Sequence, residues 1–85
     1  MPYIKPAIRQ EFLAEADILG ERIQDVGELN YVLTTIVMSY LNKDVKNYAR
    51  LNGILGVFEG AKQEFYRRVV APYEDEKIKQ NGDVY

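Results

Sequence analysis

The segment Leu51-Asn52-Gly53-Ile54-Leu55-Gly56-Val57-Phe58-Glu59-Gly60-Ala61-Lys62-Gln63-Glu64-Phe65-Tyr66-Arg67-Arg68-Val69-Val70 settles the fold class. Leu51, Ile54, Leu55, Phe58, Ala61, Phe65 and Val69 recur at steps of three and four, a continuous helical stripe, while Arg50, Val57, Glu64 and Arg68 point away from it. Glu64 lies four residues before Arg68, the favourable order for a helical ion pair. The pattern predicts a helix over 47–70, with Asn47 or Asp44 able to cap its start. Pro72 has no N–H and its ring crowds the preceding turn, so a kink or break is expected there. A short helical extension over 73–80 should follow and end at Asn81-Gly82.

Upstream, Leu29, Val32, Leu33, Ile36, Val37, Tyr40 and Leu41 form a broad apolar face and predict a second helix over 28–42. Its far side, Tyr31, Thr34, Thr35 and Met38, is also uncharged, so this helix is expected to be buried and covered on two sides. Gln24-Asp25-Val26-Gly27 reads as a connection, with Gly27 free to take a positive φ. Before it, Ile8, Phe12, Leu13, Ala16, Leu19 and Ile23 predict a first helix over 6–24, opened by Pro6 and with a break allowed near Phe12 or Gly20. The architecture expected is all-α: one domain over 1–85, three antiparallel helices, the third long and kinked or broken at Pro72.

Composition narrows the chemistry. The 85 residues contain no histidine and no cysteine, which removes the commonest general base, the thiolate nucleophile and the usual zinc ligands. The net charge is -2, the wrong sign for a dedicated polyanion binder. It is unevenly spread: 1–42 carries three basic and six acidic residues, 43–71 six and three, 72–85 two and four. The longest uncharged run, 29–42, is too short and too polar to cross a bilayer, and the first residues do not read as a signal peptide, so no membrane association is expected.

Five constellations bear on function. Gly53, Gly56 and Gly60 share one side of the third helix, and because each costs roughly 1 kcal/mol against alanine, close packing of another helix is the natural reason for them. The third helix outruns the second, leaving Phe65, Tyr66, Val69, Val70, Tyr73 and Ile78 to be covered by N-terminal residues such as Tyr3, Ile4, Ile8 and Phe12 or by another copy; a homodimer is expected. Lys62 falls on the apolar side near Glu59 and reads as a snorkelling stem rather than an activated amine. Glu11, Glu15, Asp17, Glu21, Asp25 and Glu28 could in principle offer oxygen ligands to Mg²⁺, but a solvated face explains them better; no metal or cofactor is expected. Arg67 and Arg68 among Tyr66 and Tyr73, with Lys43, Lys46 and Arg50 upstream, could follow a phosphate backbone, though Glu74, Asp75 and Glu76 come directly after.

Gly27-Glu28-Leu29-Asn30-Tyr31, Asn47-Tyr48-Ala49-Arg50-Leu51-Asn52, Glu64-Phe65-Tyr66-Arg67-Arg68, Ala71-Pro72-Tyr73-Glu74 and Asn81-Gly82-Asp83-Val84 resemble a family of small uncharacterised prokaryotic and phage-encoded proteins, over roughly 27–35 and 47–85. The resemblance implies a bacterial or viral cytoplasmic origin and carries no activity, ligand or catalytic residue. The residues therefore point to a non-enzymatic, self-associating interaction module that meets a protein partner through Tyr66, Arg67, Arg68 and Tyr73. The alternative is a nucleic-acid-binding accessory protein that uses Arg67, Arg68, Lys46 and Arg50.

Overall fold

The computed structural model describes residues 4–85; Tyr3, offered above as cover for the third helix, lies outside them. The described residues are helical, with no strand among them: α1 is Pro6–Arg22, α2 is Val26–Leu41, and α3 is Tyr48–Phe65. A π-helical segment, Tyr66–Val70, leads from α3 into α4, Ala71–Asn81, making one long third helix with a widened turn inside it. The chain divides into two units, one ending at Leu51 and one running from Asn52 to Tyr85.

In the first unit, α1 starts with Pro6 at its first turn and runs unbroken through Phe12 and Gly20. Arg9 Nε donates to the Ile4 carbonyl at 2.7 Å, tying the preceding residue to the first turn. Ile23 then turns extended, at φ -71 and ψ 127. α2 begins two residues earlier than the periodicity predicts, because Asp25 is its cap: the Asp25 carboxylate accepts from the Glu28 N–H at 2.8 Å. Glu28 reciprocates by accepting from the Gln24 N–H at 2.9 Å, so two otherwise orphan donors are satisfied from a run of five residues. This arrangement draws Gly27 into the helix, and the positive φ open to a glycine there is not taken; Gly82 alone has one among the described residues.

The second unit explains Pro72. The Ala71 N–H bonds to the Tyr66 carbonyl, five residues back instead of four. The Arg67 carbonyl thus loses its α-helical donor to Tyr66, and the next donor along belongs to Pro72, which has none. The ladder slips by one residue where it would have been broken, and the helix continues. α4 ends at Gly82, whose φ of 85 belongs to the left-handed side and whose N–H returns to the Ile78 carbonyl at 2.8 Å.

Burial departs furthest from expectation. Among the described residues Leu41 alone is buried, at 7% exposure. α2, expected to be enclosed, leaves Tyr31, Leu33, Ile36, Met38 and Tyr40 on the surface. No helix of its unit closes over it; α1 has no buried residue at all. The periodicity locates an apolar face correctly, but it does not say whether the helices of its own unit cover that face.

Candidate functional site

The tightest non-local structure lies where α2 turns toward α3. Asn47 caps α3, its side-chain oxygen accepting from the Arg50 N–H at 2.9 Å, which fixes Arg50 in the first turn. The Arg50 side chain reaches back from there to the end of α2: Nη1 donates to the Leu41 carbonyl at 2.9 Å and Nη2 to the Tyr40 carbonyl at 2.9 Å. Nη1 also lies 3.4 Å from the Val45 carbonyl. The guanidinium stands 5.3 Å from the centre of the Tyr40 ring. A fixed positive charge thus meets the negative end of α2, and its planar fork satisfies carbonyls that the helix itself leaves open. Sequence reasoning placed Arg50 in a phosphate-binding set and missed this role. The available signal was the Asn47 cap, which puts Arg50 one short turn beyond the α2 terminus.

The second unit carries the predicted interaction residues. Arg67 Nη2 and Arg68 Nε both donate to Glu64 Oε2 at 2.9 Å, so the expected Glu64–Arg68 pair forms and Arg67 joins it. Hydrogen bonds from Arg68 and Arg67 hold the Glu64 carboxyl below its ordinary value. Tyr66 donates its hydroxyl to Glu74, and that bond, with the nearby carboxylate charge, pushes the phenol above its ordinary value. The π segment accounts for this pairing. Eight residues of plain α-helix would rotate Glu74 about 80° off the Tyr66 side, and the one extra residue of the widened turn brings it back. Tyr73 is exposed, with the Lys77 ammonium 5.4 Å from its ring centre. Tyr66, Arg67, Arg68 and Tyr73 each have an acidic or basic neighbour, and the first three, at consecutive helical positions about 100° apart, fan around the helix instead of gathering on one face.

The other sequence candidates are more plainly placed. Lys62 is exposed, so a buried amine is absent, and Glu59 accepts instead from Gln63 Nε2 at 3.1 Å. A shallow depression of about 400 Å³ lies beside them, lined by Glu59, Lys62, Gln63, Phe65, Tyr66 and Val70. A side chain grown at Gly53, Gly56 or Gly60 would meet nothing within 4 Å. The space over that stripe is open. Lys46 is exposed, and among the described residues no three carboxylates converge on a point where a metal ion could sit. No helix among the described residues is long and apolar enough to cross a membrane.

Comparison with curated proteins and with solved structures returned no match. The sequence does match one family, described as "Domain of unknown function (DUF6899)", over residues 1–84. With a match along nearly the whole chain, the protein belongs to that family.

Proposed function

We propose that this chain is a non-enzymatic helical interaction module that self-associates and recognises a protein partner through Tyr66, Arg67, Arg68 and Tyr73. The observation that carries the reading is the exposure of large apolar side chains along every helix, from Phe12 and Leu13 on α1 to Phe65 on α3 and Tyr73 and Ile78 on α4. Apolar side chains exposed in this number support contact with partners that cover them. Aromatic and arginine side chains supply much of the energy at such contacts.

The nucleic-acid reading draws less support. Of its four cations, Arg50 is committed to the Tyr40 and Leu41 carbonyls, and Arg67 and Arg68 share the Glu64 carboxylate. A phosphate would compete with groups already in place. The resemblance over residues 27–35 and 47–85 supports a bacterial or phage origin and, with it, a cytoplasmic place of action.

The test is absolute mass by light scattering after size exclusion at low and high salt, with ultraviolet absorbance recorded to reveal co-purifying nucleic acid. The reading expects a salt-stable assembly free of nucleic acid. Nucleic acid that salt removes, and that an Arg67→Ala/Arg68→Ala variant fails to carry, would replace it with the alternative.

A further inference from the structure

We draw no further inference here: the strongest candidate, the exposed apolar face of α2 that carries Leu29, Leu33 and Ile36, is an unpartnered surface patch, and nothing in the structure shows what covers it.

Discussion

The corner between α2 and α3 and the helix running from Glu64 to Glu74 both hold arginines, and they use them differently. Arg50 reaches back nine and ten residues to the Leu41 and Tyr40 carbonyls, and so determines which way the chain leaves α2. Arg67 and Arg68 reach three and four residues to Glu64 and decorate a helix that would follow the same course without them. The first is architecture and the second is surface chemistry. An arginine's role follows from where its acceptors lie in the chain.

Substitution should separate the two regions sharply. Arg50→Ala leaves two α2 carbonyls without their charged donor and should destabilise the fold by about 2 kcal/mol, with Arg50→Lys recovering only part, since an ammonium cannot span both oxygens. Chemical denaturation measures this, and an unchanged midpoint would break the distinction. Asp25→Ala removes the α2 cap and should cost about 1 kcal/mol, seen as a lower midpoint and faster amide exchange at Glu28. Glu74→Gln should change stability little but return Tyr66 toward its ordinary value of 10.0, followed by pH titration of the Tyr66 ring resonances. The sign follows from the raised phenol: the Tyr66–Glu74 contribution is present below pH 10.0 and fades as pH rises through the higher folded value. The smallest effect is expected from Glu64→Gln at neutral pH, because the pair is exposed and screened. Its carboxyl is lowered from 4.5, so the contribution is present above that pH and is lost as pH falls through the lower folded value. The Glu64→Gln variant should therefore differ from the parent only on the acid limb of a stability profile.

How much could be read beforehand differs between the same two regions. The Glu64–Arg68 pair, the Asn47 cap and the Gly82 terminus were legible because each depends on residues within one helical turn, and helical geometry fixes those distances in advance. The three helices were legible for the same reason. Asp25 as a cap was within reach too, since Glu28 three residues on completes the reciprocal pattern, but Gly27 drew attention as a loop residue. Arg50 was not legible, because its acceptors lie across a turn whose path no periodicity describes. The π segment was half legible: Pro72 announces a disturbance, and whether the ladder breaks or slips depends on packing and solvation that local sequence leaves open. The exposure of α2 was hidden altogether, since an apolar face reads the same whether its cover belongs to its own chain or to another.

The widened turn at Tyr66–Val70 has a consequence for how this helix tolerates changes in length. Losing one residue from an ordinary α-helix swings everything downstream round by about 100° and misdirects every later side chain. Here the ladder already contains one residue more than the α spacing requires, so deletion of Val69 would close the slip and leave Tyr73, Glu74 and Ile78 facing as before. Only Pro72 would object, and Pro72→Ala would remove that objection. Within the third helix, the segment is a slack link where the register can be reset by one residue without turning the surface beyond it.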